Sequence, residues 1–172
     1  MTLHLLPQFL DIEASSLGRD SYPIEIAWSY PNGEVEAHLI DPYHILDWTD
    51  WDPAAQAVHG LSRRYLSEHG ADPKLVAGRI QAVLAGQPVY SDAPDYDQGW
   101  LETLFGDALG VRSPVRLHPI WALWPDARGE RLHELYDAAW ADVEGQPHRA
   151  GIDVRHRLAW YLRAKAEFGG VR

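Results

Sequence analysis

The sequence predicts an α/β domain, a mixed sheet with helices packed on its faces. Three observations predict it. The chain opens with segments that alternate apolar and polar residues, as half-buried strands do. Later segments carry apolar residues at helical spacing, and short apolar runs separate those helices. Strands therefore come first and then alternate with helices, an order that places helices against a sheet.

Each element follows in turn. Residues 8–13 (Gln-Phe-Leu-Asp-Ile-Glu) read as the end of a first strand, and residues 22–30 alternate as a second. Pro31-Asn32-Gly33 signals a tight turn, after which residues 34–40 alternate again, giving a three-stranded meander. Helical character begins near Pro53 and is clearest over 72–85, where Leu75, Val76, Ile80, Val83 and Leu84 recur at helical spacing and Gly86 stops the helix. Pro88-Val89-Tyr90 is a short buried strand that leads to a helix over about 95–104. Residues 115–124 include another strand, and helices over 127–143 and 149–168 close the chain. Pro125-Asp126 and Gly145-Gln146-Pro147 mark loops, not linkers, so residues 1–172 are expected to form one domain without internal repeats.

Composition narrows the function classes. Hydrophobic residues make up 46% and charged residues 23%, as in an ordinary globular protein. No apolar run approaches the roughly 20 residues that span a bilayer. The opening Met-Thr-Leu-His-Leu-Leu-Pro lacks the features of a secretory signal. A soluble, cytoplasmic protein without a membrane partner is the plain expectation. Zero cysteines exclude disulfides, thiolate metal sites and cysteine nucleophiles. The net charge of −10 argues against holding long nucleic acid on a broad basic surface. It does not exclude a nucleic-acid enzyme, because metal-binding carboxylates count as negative until their cations bind.

Three constellations carry chemistry. In Asp11-Ile12-Glu13 two acids share one face of a strand, roughly 6.6 Å apart along it. Carboxylates so placed suit metal ions about 4 Å apart, the spacing of two-metal phosphoryl-transfer sites; a solvated strand end would show the same pattern. In the turn from Tyr90 to Leu101, Asp92, Asp95 and Asp97 crowd the start of a helix. Asp95 or Asp92 is placed to cap that helix, and Asp97, one turn in, to reach over the sheet toward Asp11. In His148-Arg149-Ala150-Gly151-Ile152-Asp153, five residues separate histidine from aspartate. On an ideal helix that spacing points them about 140° apart. They serve one site only if His148 lies in the approach to the helix and Asp153 on it. Neutral imidazole there suits water activation near neutral pH. His156 reads as a helix-face residue. Among eight tryptophans, Trp48 and Trp51 are candidates to stack on bases, although packing explains most of them. Arg63, Arg64 and Arg149 are candidate phosphate contacts, Arg149 foremost because it adjoins His148.

Together these segments resemble the DEDDh 3′→5′ exonucleases, a family that includes polymerase proofreading exonucleases, oligoribonuclease and RNase T. Phe9-Leu10-Asp11-Ile12-Glu13 with Leu17 resembles the first motif. Val58-His59-Gly60-Leu61 resembles the segment that often precedes the second, and Asp92 to Leu101 has the spacing of oligoribonuclease's second motif. His148 to Asp153 resembles the third, H-x4-D. The likeness spans residues 8–160 and departs at Ser91-Asp92, where many members have His-Asn; Asp97 is preferred to Asp92 and Asp95 as the second-motif ligand. The resemblance implies an RNase H-like fold, a five-stranded mixed sheet with its first three strands antiparallel. It implies two divalent cations, Mg²⁺ or Mn²⁺, held by Asp11, Glu13, Asp97 and Asp153. His148 would be general base, with Glu13 also counted in the catalytic set. By family position, Leu17 would wedge against the terminal base and the backbone at Ala14 would meet the 3′ hydroxyl. The implied activity releases nucleoside 5′-monophosphates from 3′ ends of single-stranded DNA or RNA, or from short oligonucleotides. A proofreading or repair role beside a polymerase and a catalytically silent binding module are the alternatives. A homodimer is compatible with the family and with the tryptophan content, and neither settles it.

Overall fold

The computed structural model describes residues 5–127 and 129–169. The first four residues of the opening segment read for a leader therefore lie outside the described residues, as does Arg128 within the span expected to be a helix over 127–143. Strands β1 (Gln8–Ala14), β2 (Pro23–Ser29) and β3 (Val35–Leu39) form the expected antiparallel meander. Gly33 adopts φ +88° in the turn joining β2 to β3, a conformation that glycine reaches at no steric cost. Helices α1 (Pro53–His59), α2 (Arg63–His69) and α3 (Pro73–Leu84) follow, then β4 (Val89–Ser91) and α4 (Pro94–Leu109). The chain continues through β5 (Leu117–Pro119) and α5 (Gly129–Ala138) to α6 (Ala150–Phe168). The sheet order is β3-β2-β1-β4-β5, with β4 and β5 parallel to β1. The five-stranded mixed sheet expected from the resemblance is therefore present.

The period-two alternation of β1 divides the core between the two faces of the sheet. Leu10, Ile12 and Ala14 join Ile24, Ile26 and Trp28 in a core that includes Val76, Ile80 and Leu84 of α3 and Leu101, Leu104 and Phe105 of α4. Phe9 and Ala27 join the other core, with Val154, Leu158, Trp160 and Tyr161 of α6. Asp11 and Glu13 share the face of Phe9 and so look toward α6. Among the described residues no helix is long and apolar enough to cross a membrane.

Several local expectations are corrected. The strand expected within 115–124 is present as the three-residue β5, and the boundaries of other elements shift: after Pro119 the chain turns into a 3-10 segment at Ile120–Leu123. The helix placed over 127–143 ends at Ala138 and tightens to a 3-10 turn over Ala139–Asp142. Neither Asp92 nor Asp95 caps α4: the N-cap is Ala93, whose N–H donates to Ser91 Oγ at 2.9 Å. His156 lies on the buried side of α6, its ring 3.9 Å from that of Trp140 and its Nε2 2.7 Å from the Tyr136 carbonyl. Trp48 is buried and stacks on Tyr22 at 4.9 Å, so it cannot meet a base; Trp51 is partly buried against the same core.

Candidate active site

The site forms where β1 outruns its parallel neighbour. Pairing of β1 with β4 covers Gln8 and Phe9, so the two strands have parted by Asp11 and Glu13. On its other side β1 pairs with an antiparallel strand, β2. Open sheets bind ligands at the carboxyl ends of strands where direction or order switches. A cleft of about 540 Å³ lies there, lined by Asp11, Glu13, Leu17, Asp92, Asp97, Trp100, Tyr136, Trp140, His148, Asp153 and Arg157. A second hollow of about 430 Å³ shares Glu13, Leu17, Trp100 and His148 with it and adds Ala14 and His59.

Carboxylates converge in two groups. Glu13, His148 and Asp153 bring ligand atoms within 4.8 Å of one another, and Asp11, Asp92 and Asp97 do the same. Asp97 is buried in the first turn of α4, where its carboxylate accepts from the Ser91 hydroxyl. Asp92, its rival from the same turn, also points inward, accepting from Tyr136 Oη at 2.5 Å and from Arg157. Asp95 is exposed and joins neither group.

The approach to α6 has the irregular shape that the His148–Asp153 spacing demands. His148 takes φ +64°, a left-handed conformation unusual for a residue with a side chain, and its own N–H donates to Asp153 Oδ2 at 3.1 Å. Asp153 then sits in the first turn of α6, where a carboxylate favours the helix N-terminus. Glu25 of β2 fixes this corner. It accepts from Arg149 Nε and Nη2 at 3.0 and 2.8 Å and from the Ala150 N–H at 3.0 Å, so a strand carboxylate supplies the cap that α6 lacks locally. Arg149 is thereby engaged with protein. Leu17 is 73% exposed on the rim, and Ala14 lines the second hollow beside a register irregularity that ends β1.

Crowding of buried acids sets the electrostatics. Burial, together with Asp11, Asp153 and Glu25, pushes Glu13 up to about 9. Burial pushes Asp11 up to about 7 against the pull of Arg157, and Asp153 up to about 6. Asp97 is raised well above the carboxylate range by burial and by Asp11. Asp92 differs: burial opposes its charge, but Arg157 and Tyr136 outweigh that and hold it below the usual value. Asp11 Oδ2 and Asp153 Oδ1 are buried and find no hydrogen-bond partner among the described residues. Buried carboxylate oxygens without donors are costly unless a cation meets them. This donor set, hard oxygens and one imidazole, fits a divalent metal ion.

Arg157 and Tyr136 were missed in the sequence. Arg157 stands four residues after Asp153 and hence on the same side of α6, a spacing that could have revealed it. Tyr136 had no sequence signal, since only the packing of α5 against α6 brings it to Asp92.

The strand order and the helices on both faces define the RNase H-like α/β architecture. Known structures share it. The zinc-bound complex of E. coli exonuclease I with single-stranded DNA superposes with a TM-score of 0.68 at 18% identity, over 94% of this chain and 40% of that one. A moderately thermophilic exonuclease I from Methylocaldum szegediense gives 0.62 at 17% identity, over 94% and 41%. A product-bound exonuclease I gives 0.64 at 17% identity, over 92% and 43%. This chain therefore spans about two fifths of the length of those proteins, and at such identity the likeness concerns the fold. No protein-family model and no curated protein sequence matches.

Proposed function

We propose that the protein is a metal-dependent exonuclease that removes nucleotides one at a time from the 3′ end of a single strand. The observation that carries this reading is the convergence of Asp11, Glu13, Asp97, Asp153 and His148 at the open end of β1, with two buried carboxylate oxygens that have no donor among the described residues. Solved neighbours bound to single-stranded DNA support a single-stranded substrate. DNA is accordingly the preferred test substrate, with RNA as comparison. The net charge of −10 fits capture of short strands or ends and not of long duplex.

In this reading Glu13, Asp153 and Asp11, with Asp97 beside them, would hold divalent metal, Mg²⁺ or Mn²⁺. Cations so held supply Lewis-acid polarisation of the phosphate and lower the pKa of the attacking water. His148 accepts the proton as the water oxygen attacks the terminal phosphorus. The bond from phosphorus to the 3′ oxygen breaks, that oxygen takes up a proton, and a nucleoside 5′-monophosphate leaves. The Asp153 carboxylate accepts from the His148 main-chain N–H and so fixes where the imidazole begins. Leu17 and the Ala14 backbone, beside the second hollow, receive the terminal nucleoside.

Incubation of a 5′-labelled single strand with Mg²⁺ or Mn²⁺ tests this. Stepwise shortening, abolished by EDTA and by Asp11→Ala, is the expected outcome; an intact strand with every metal, as DNA and as RNA, would refute it. One observation favours the silent-module alternative, the buried Arg157 among the carboxylates, and an intact strand that still binds would establish that reading.

A further inference from the structure

The two carboxylate groups differ in how their charge is met. In the Asp11–Asp92–Asp97 group, a single nitrogen of Arg157, Nη2, donates to Asp11 Oδ1 at 2.7 Å and also to Asp92 Oδ1. Tyr136 donates to Asp92 Oδ2, and Ser91 to Asp97 Oδ2. This half contains its own cation and hydroxyl donors. The Glu13–His148–Asp153 group has no cation hydrogen-bonded to it among the described residues, although Arg157 attracts Glu13 and Asp153 from farther off: Asp153 Oδ2 receives one main-chain N–H from His148, while Asp153 Oδ1, and Asp11 Oδ2 on the carboxylate whose charge Asp153 feels, receive nothing among the described residues.

Arg157 is not free to step aside. Its side chain is 4% exposed, its Nε and Nη1 have no partner among the described residues, and the two aspartates are what hold it. Moving it out would leave the buried Asp11 Oδ1 without its donor and Asp92 with Tyr136 alone. The guanidinium nitrogen also occupies Asp11 Oδ1 at 2.7 Å on the side shared with Asp92, so a second cation approaching that oxygen would meet a fixed positive charge.

We propose that Arg157 takes the place of one of the two cations of a two-metal site. The protein then binds a single divalent ion, held by Glu13, Asp153 and Asp11 Oδ2, while the Arg157 guanidinium supplies the second positive charge, a substitution resting on the metal-dependent reading above. A fixed monocation in this position compensates Asp11 and Asp92 whether or not an ion is present, and it repels a second ion from their half of the site.

Metal counting tests it without reference to activity. Isothermal titration with Mn²⁺, checked by electron paramagnetic resonance of bound Mn²⁺, is carried out on the wild type and on Arg157→Met, which keeps the length of the side chain and removes its charge. One ion per wild-type chain and two per Arg157→Met chain are expected, with the first ion bound about tenfold more tightly in the variant. Two ions in the wild type overturn the proposal, whatever the fate of the variant. So does a folded Arg157→Met, verified by circular dichroism, that still binds one. No ion in either protein overturns the metal-dependent reading itself, and this inference with it.

Discussion

Replacing Arg149 by alanine separates a structural role for this arginine from direct contact with substrate. Glu25 is 4% exposed and receives three donors, two of them from Arg149, at 3.0 and 2.8 Å. Removing one partner of a fully buried ion pair costs roughly 3–5 kcal/mol. The Arg149 side chain is 40% exposed, so water screens the pair and the cost falls to about 2 kcal/mol. In a domain of this size each kcal/mol moves the melting midpoint by about 2–4 °C, so Arg149→Ala should lower Tm by about 4–8 °C. Arg149→Lys should recover less than half of that, because an ammonium cannot reproduce the two-pronged contact. Glu25 also pairs in register with Glu13 and grips the first N–H of α6, so the variant should lose activity as the corner carrying His148 and Asp153 loosens. Thermal melts in EDTA, alongside initial rates on a labelled strand, measure both effects. A variant that melts within about 1 °C of the wild type while its KM rises about tenfold would refute the reasoning and make Arg149 a phosphate contact.

The remaining predictions concern pH, packing and the loop before α6. Asp11, Glu13 and Asp153 all have folded pKa values above their ordinary ones, so between about pH 4 and pH 9 the metal-free folded protein binds more protons than the unfolded chain. Its stability should therefore fall as pH rises through that window. Melts in EDTA at pH 5 and pH 8 should show the lower Tm at pH 8, and added Mg²⁺ should raise Tm more at pH 8 than at pH 5. Trp48→Ala should cost about 3–5 kcal/mol in urea titrations and leave the KM of the folded protein unchanged, because Trp48 packs on Tyr22 and donates to Asp107. Gly145→Ala should cost about 1–2 kcal/mol and lower kcat about tenfold. Gly145 has φ +127°, and an added Cβ would sit 2.6 Å from Ile152 Cδ1, displacing the loop that carries His148.

Features governed by local pattern were legible in the sequence. Period-two alternation announced β1 to β3, and Pro-Asn-Gly announced the turn between β2 and β3. The same alternation put Asp11 and Glu13 on one face. The spacing of His148 and Asp153 required a break before α6, and the chain supplies it through Gly145 and the left-handed His148. What escaped depends on distant partners. Asp92 looked like a helix cap because its neighbours in sequence offer α4 an N-terminus, yet Arg157 and Tyr136 offer it stronger donors. His156 read as a helix-face residue because its own segment shows nothing that would cover it, while Tyr136 of α5 and Trp140 of the 3-10 turn after it bury it. Arg149 looked free for phosphate because nothing nearby in sequence predicts Glu25, which lies far back on β2.

The central claim is a direction and a product, and a doubly labelled strand tests both at once. A single-stranded DNA of mixed sequence carries one dye on its 5′ end and a radiolabelled phosphate at its last internucleotide linkage, and it is incubated with protein and Mn²⁺. The account predicts that the radiolabel leaves first, as a nucleoside 5′-monophosphate, while the dye-bearing strand shortens one nucleotide at a time; Asp153→Asn abolishes both signals. Loss of the dye as a short fragment before the radiolabel, internal cuts, or radiolabel released as a 3′-monophosphate would contradict it.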